Sequence, residues 1–146
     1  AAYARDIVQN ARALGESLAA EGFDVLAEGR NYTASHQVLT RHGAIDSGAG
    51  ANAAQLLEEA GIITNMNMLP GDTKALTPSG LRLGVQELTR VGMGRNEMAE
   101  VARLFAKVLL EGEEPSKVKQ EVNNLKAGFQ IIRYCFNEDE QSGYIL

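Results

Sequence analysis

Apolar residues recur at steps of three and four in three stretches of this chain, and this spacing constrains its fold more than any other feature. Such spacing predicts amphipathic helices, each of which must bury one face. One stretch opens the chain and two follow each other near its end. Their apolar positions are Tyr3, Ile7, Ala11, Leu14 and Leu18, then Met98, Val101, Leu104 and Val108, then Val118, Val122, Leu125, Phe129, Ile132 and Phe136.

Between these helices the chain is divided into short segments of β type. Alternating and β-branched residues predict four strands, at residues 23–27, 36–41, 62–64 and 81–83. Apolar spacing predicts a further helix at 53–60 that ends at Gly61, and glycine, proline and aspartate predict loops at 42–50 and 65–78. The order of elements predicts an α+β domain, a short sheet with helices packed on one face. No repeat or linker divides the chain.

Composition narrows the classes of function. The net charge is -5 and there is no basic stripe, which argues against nucleic acid as a partner. No apolar run is long enough to predict a membrane span, and no signal-peptide pattern is present. The single cysteine, Cys135, is expected to be a buried, inert thiol. The chain begins without Met and with helical residues, which is expected of a cut inside a longer protein or of a processed N-terminus.

Few residues suggest chemistry. There is no glycine-rich phosphate loop and no Cys or His pair with metal-ligand spacing, so no metal site is expected. His36 and His42 are the only imidazoles, and His36 is expected to be a structural residue that opens a strand. These absences argue against a self-contained active site, and we expect no catalytic residue in this chain.

Arg82 is the exception. It lies between two leucines and two glycines, on what should be a buried strand. Arginine is rarely buried without a partner, glycines allow a ligand or another backbone to approach, and a guanidinium can grip a carboxylate with two parallel bonds. The pattern therefore indicates either capture of a carboxylate ligand or an internal salt bridge to one of the 19 acidic residues.

The segment from residue 65 to residue 92 resembles serine hydroxymethyltransferases. That family carries N-K-N, a proline-containing loop, S-G-I-R-x-G-T and a turn of the type T-x-R-G or T-R-x-G. Here the matching blocks are N-M-N at 65–67, Pro70, S-G-L-R-L-G at 79–84 and T-R-V-G at 89–92. Gly22-Phe23, His36 and E-E-A-G-I at 58–62 extend the resemblance upstream, so that it covers nearly the whole chain except the acidic tail.

The resemblance implies a fold and a set of binding residues. The fold is the small C-terminal domain of a fold-type I pyridoxal-phosphate enzyme, with a short, mostly antiparallel sheet. It would fill residues 1–146, with the large domain that binds pyridoxal phosphate absent. Arg82 matches the arginine that binds the carboxylate of serine or glycine, and Ser79 and Gly80 match residues that shape the backbone beside it. Asn67 matches the asparagine that contacts the pterin ring of the folate.

The same resemblance implies a function for the longer enzyme. It would interconvert serine and glycine, with one-carbon transfer to tetrahydrofolate or a related pterin, as a cytoplasmic homodimer. None of the five lysines has the family's Schiff-base setting, so the chain alone is expected to be inactive. Met66, Met68 and the run Val85-Gln86-Glu87 depart from the family pattern, chiefly on the pterin side. A threonine aldolase or transaldolase, which would keep Arg82 without needing Asn67, and a non-catalytic interaction module of the same fold stay open.

Overall fold

The structure is a computed structural model that describes residues 2–134. Within this range the chain forms five α-helices and four strands, with one 3-10 turn at Glu28–Arg30. The elements are α1 Ala2–Glu21, β1 Asp24–Val25, β2 Gln37–Arg41, α2 Ala49–Glu59, β3 Asn65–Asn67, β4 Gly80–Gly84, α3 Gln86–Arg90, α4 Arg95–Leu109 and α5 Pro115–Ala127. No helix among these combines the length and hydropathy needed to cross a bilayer.

The four strands form one sheet in the order β1-β2-β4-β3, and every neighbouring pair is antiparallel. The predicted α+β class with a short antiparallel sheet is therefore confirmed. Because side chains alternate along a strand, Leu81 and Leu83 of β4 point to one side and Arg82 to the other. We call the side that carries Arg82 the open face. Its residues are Gln37, Leu39 and Arg41 of β2, Asn65 and Asn67 of β3, and Gly80, Arg82 and Gly84 of β4.

The opposite side of the sheet joins the helices in one hydrophobic core. Leu81 and Val38 are fully buried there, together with Leu18 of α1, Leu57 of α2 and Met98 of α4. Helix α2 approaches β4 so closely that a side chain at Gly50 would collide with the backbone of Gly80. The predicted helix faces at the start of the chain and at 98–108 are confirmed, and both contribute to this core.

The strand predicted at 62–64 is wrong. Gly61 takes a positive φ of 79°, and the backbone N–H of Ile62 donates to Leu57 O at 2.8 Å. The chain is therefore still completing the end of α2, in the way that a left-handed glycine terminates a helix. Pairing begins only at Asn65, so the loop predicted from residue 65 is also wrong at its first three residues.

The last predicted helix is shorter than its apolar spacing suggests. Pro115 does lie in the first turn, but α5 ends at Ala127, and Leu125 is only half-buried. The chain then runs back to α1, where the Tyr134 hydroxyl donates to Asp6 Oδ2 at 2.6 Å. Stacking of the Tyr134 ring on Tyr3, with centroids 4.8 Å apart, takes the place of a continued helix. Cys135 and Phe136 lie outside the described residues.

Two smaller differences concern the ends of predicted elements. The strand predicted at 23–27 is confined to Asp24–Val25, because Ala27 takes a left-handed φ of 64°. A short helix at Gln86–Arg90 was not predicted, since five residues give too little periodicity to recognise.

Candidate functional site

Arg82 lies at the middle of the central strand β4, opposite Leu39 of β2 and Asn65 of β3. Its side chain is exposed, although the strand that carries it is buried on the opposite face. The apolar neighbours Leu81 and Leu83 predicted burial of the strand correctly, but alternation turns Arg82 away from the core. The guanidinium therefore stands on the open face, where a ligand can approach it.

The partner of Arg82 is an amide. Arg82 Nη2 donates to the side-chain oxygen of Asn65 at 2.6 Å, in the amide orientation that also lets the Asn65 nitrogen donate to Met66 O at 3.3 Å. Within residues 2–134 no carboxylate lies at ion-pair distance from Arg82, although several other arginines are paired. A guanidinium has five N–H donors, so among the described residues most of them remain available.

The two glycines beside Arg82 make room for side chains of the chain itself. A Cβ at Gly80 would lie 2.5 Å from Leu69 Cδ1, because the buried Leu69 side chain rests on that glycine. A Cβ at Gly84 would lie 2.7 Å from Gln86 Oε1. The lack of a side chain at Gly80 therefore lets Leu69 pack over this position, which lies opposite Asn67.

Ser79 is fully buried and turned towards a loop. Its backbone N–H and its hydroxyl both donate to Asp72 Oδ2, at 2.9 and 2.8 Å. The N–H of Leu69 donates to the same oxygen at 2.9 Å, and the N–H of Asp46 donates to Asp72 Oδ1 at 2.8 Å. These bonds, with that from Asp46 the largest cause, hold the pKa of the Asp72 carboxyl well below its ordinary value.

Asp46 also accepts hydrogen bonds, through its carboxylate, from the two residues that follow Asp72. Its carboxylate accepts from the N–H of Thr73 at 2.8 Å, from the Thr73 hydroxyl at 2.6 Å and from the N–H of Lys74 at 2.9 Å. The two aspartates thereby tie together the loops at 42–48 and 68–79. The sequence predicted these loops but not their connection, because Asp46 and Asp72 are 26 residues apart. The one sequence feature that pointed to these bonds is the tendency of loop aspartates to accept hydrogen bonds from nearby N–H groups.

Asn67 ends β3 opposite Gly80, on the open face with Arg82. It is half-buried, and its Nδ2 donates to Met68 O at 2.6 Å. The structure thus brings three of the four predicted site residues, Asn67, Gly80 and Arg82, to one face of the sheet. Ser79 belongs to the loop network behind them.

A cleft of about 1150 Å³ opens beside Arg82. The residues that line it include the polar His36, Gln37 and Asn65 and the apolar Leu88, Leu104 and Phe129. The second histidine does not line this cleft. His42 hydrogen-bonds to Thr40 at 2.8 Å between Nε2 and Oγ1, and burial lowers its pKa.

Comparisons with known proteins identify the family. A family model described as serine hydroxymethyltransferase matches residues 1–105. The serine hydroxymethyltransferase of Thermococcus kodakarensis is 51% identical over 137 residues, which cover 92% of this chain and 32% of that protein. That of Thermoplasma acidophilum is 47% identical over 148 residues, which cover 98% and 34%. The chain therefore spans about a third of the length of the curated relatives it matches.

A solved structure shares the fold. The L-threonine transaldolase of Pseudomonas fluorescens, in its internal aldimine state, superposes with a TM-score of 0.78 at 33% identity. The match covers 88% of this chain and 28% of the transaldolase, so the related region is again a fraction of a longer protein. Together with the family match and the identity to curated relatives, this similarity places the chain in the serine hydroxymethyltransferase family.

Proposed function

We propose that residues 1–146 form the C-terminal domain of a serine hydroxymethyltransferase, and that this domain recognises the amino-acid substrate. The longer enzyme would interconvert serine and glycine and pass the hydroxymethyl carbon to tetrahydrofolate or a related pterin. The observation that carries the proposal is the exposed Arg82 guanidinium, which has an amide partner but no carboxylate partner within residues 2–134.

Arg82 would bind the substrate carboxylate through two parallel N–H···O bonds. The Asn65 amide oxygen already holds one end of the guanidinium, which reduces the rotational freedom that substrate binding must remove. The pairing of Arg82 between Leu39 and Asn65 fixes its backbone from both sides. Coverage of the open face by the rest of the enzyme would exclude water and strengthen the ion pair.

Asn67 would contact the pterin. An amide offers both a donor and an acceptor, which suits the edge of a heterocyclic ring that presents both. Asn67 stands on the same face as Arg82 and nearer the loop at 68–79, so the pterin would lie beside the amino acid. Ser79 and Gly80 would act through the backbone, the first by its bonds to Asp72 and the second by admitting Leu69.

Pyridoxal phosphate would be bound by the part of the enzyme outside this chain. The cofactor supplies an electron sink for the bonds at the amino-acid α-carbon, and it requires a Schiff-base lysine. Here Lys107 pairs with Glu121 at 2.6 Å, and the remaining lysines, Lys74, Lys117, Lys119 and Lys126, are exposed on a loop or on α5. These residues do not fit a cofactor site by themselves. The homodimer and the cytoplasmic location belong to the same proposal.

A transaldolase is the second candidate, because the threonine transaldolase superposes over most of the chain. Such an enzyme would use Arg82 in the same way, but it would transfer the amino-acid fragment to an aldehyde and would have no need of a pterin. The two functions therefore agree on Arg82 and differ on Asn67.

The experiment measures glycine formation from serine by the full-length protein, with and without tetrahydrofolate. We expect formation to depend on the pterin, and we expect Asn67→Ala to raise the KM for the pterin about tenfold, as for the loss of a hydrogen bond to a ligand, while the Kd for glycine is unchanged. Asn124→Ala, which removes an exposed asparagine on α5, should leave both constants unchanged.

A reaction that requires an aldehyde acceptor and does not depend on the pterin would favour the transaldolase. The absence of both reactions would favour a non-catalytic domain.

A further inference from the structure

The two candidate binding residues on the open face are held in place by different means. Arg82 lies in β4, which makes five residue pairs with β2, from Gln37↔Gly84 to Arg41↔Gly80. Asn67 lies in β3, which makes three pairs with β4 and, within residues 2–134, has no neighbouring strand on its other side. Strand β3 therefore needs support from outside the sheet to keep Asn67 in place.

The first end of β3 receives that support from α2. The Ile62 N–H donates to Leu57 O, which ties the chain just before Asn65 to a fully buried helix residue. The Asn65 amide also bonds Arg82 across the pair of strands. This end of β3 is thus fixed without any contribution from the loop at 68–79.

The other end of β3, where Asn67 lies, is followed at once by that loop. Asp72 Oδ2 accepts from the N–H groups of Leu69 and Ser79, which are the residues where the loop leaves β3 and rejoins β4. One carboxylate oxygen therefore closes the loop across its base. It also seats the Leu69 side chain on Gly80, the residue opposite Asn67.

We propose that Asp72 is a positioning residue for Asn67 and not for Arg82. It fixes the last pair of β3, and so the direction in which the Asn67 amide faces a bound pterin, while the carboxylate site at Arg82 is held by β2 and Asn65. The inference rests on the proposed function, since it assigns Asp72 to the pterin half of that site.

Asp72→Asn tests this in the full-length enzyme. An asparagine carbonyl can replace only one carboxylate oxygen, and its NH₂ group then faces a backbone N–H, so the loop loses either the bonds from Leu69 and Ser79 or the bond from Asp46. We expect the KM for the pterin to rise about tenfold, and the Kd for glycine to stay within about twofold of the unsubstituted enzyme. Thr73→Val is the matched control: Thr73 follows Asp72 in the same loop, and its hydroxyl bonds Asp46 of the loop at 42–48 but not Asp72, so this change should alter neither constant.

A double substitution separates positioning from general damage. If Asp72 acts through Asn67, Asp72→Asn has no further effect on the pterin KM once Asn67 is alanine, whereas independent effects would multiply. Multiplication, or a normal pterin KM in Asp72→Asn, overturns the inference while leaving the role of Asn67 intact. An unchanged pterin KM in Asn67→Ala alone overturns the proposed role of Asn67 instead.

Should Asp72→Asn fail to fold, Ser79→Ala takes its place, because it removes a single bond to Asp72. It must then raise the pterin KM by a smaller factor.

Discussion

Arg82 and Leu81 are adjacent in sequence and opposite in environment, since Leu81 is fully buried and Arg82 is exposed on the open face. A residue kept at the surface for binding contributes little to folding, whereas a buried leucine contributes through the cavity that its loss would leave. The functional and structural demands on β4 are thus separated by the alternation of a single strand.

This separation predicts that substitutions at Leu81 and at Arg82 change the free energy of unfolding by different amounts. In the 146-residue chain, Leu81→Ala should lower the free energy of unfolding by about 2–5 kcal/mol. Arg82→Ala should leave it within about 0.5 kcal/mol of the unsubstituted chain, as for most surface positions. Urea denaturation measures both. A large loss on Arg82→Ala would identify Arg82 as a structural ion-pair partner and favour the internal salt bridge that the sequence left open.

His42 gives the stability a dependence on pH. Burial lowers the folded pKa of this imidazole below its ordinary value of 6.5, against a smaller opposing effect of Asp24. Between the folded and unfolded pKa values the unfolded chain binds more protons, so the free energy of unfolding falls as the pH drops below about 6.5. His42→Gln should remove this fall, and His36→Gln, at an exposed position, should keep it. Urea midpoints between pH 5 and 8 test both, and identical slopes in the two variants would contradict the assignment.

The helices differ in how firmly they pack. Leu57 of α2 is fully buried, whereas Leu125, near the end of α5, is half-buried beside the cleft. Leu57→Ala should therefore cost about 2–5 kcal/mol of unfolding free energy, and Leu125→Ala clearly less. Thermal or urea unfolding of both variants provides the comparison. Equal costs would mean that the end of α5 belongs to the core after all, as its apolar spacing first suggested.

The sequence predicted those elements whose pattern is local and long. The helix face from Tyr3 to Leu18 repeats over several turns, so its burial could be read directly. The prediction of a strand at 62–64 was wrong because the left-handed Gly61 and the hydrogen bond from Ile62 to Leu57 end helix α2 there, in spite of the β-branched residues. The predicted end of α5 was wrong because Tyr134 bonds Asp6, a residue 128 positions away in sequence.

The candidate site shows the same limit. Family resemblance pointed to Arg82, Asn67, Ser79 and Gly80, and alternation explains why Arg82 and Asn67 share a face. The hydrogen bond between Asp46 and Asp72 could not be predicted, because it depends on which two loops meet in space. The family resemblance identified the candidate binding residues, whereas only the folded chain shows which contacts hold them in place.

As a whole molecule, the domain has one continuous core and a sheet whose open face carries its candidate binding residues. Its length is about a third of that of its curated relatives. Under the proposed function the domain would recognise the substrate, and the remaining part of the enzyme would supply the cofactor and the bond-breaking steps. The proposal predicts that the isolated chain does not catalyse the interconversion of serine and glycine.

The most direct test is the affinity of the full-length enzyme for glycine with Arg82 changed to alanine and to lysine, measured by calorimetric titration. Loss of one partner of a desolvated charge pair costs roughly 2–5 kcal/mol, so Arg82→Ala should raise the Kd by about one and a half to nearly four decades. Arg82→Lys should recover only part of the affinity, because an ammonium group cannot form the paired bonds. A Kd for glycine that is unchanged in Arg82→Ala would contradict the account, since Arg82 would then have no part in binding the carboxylate.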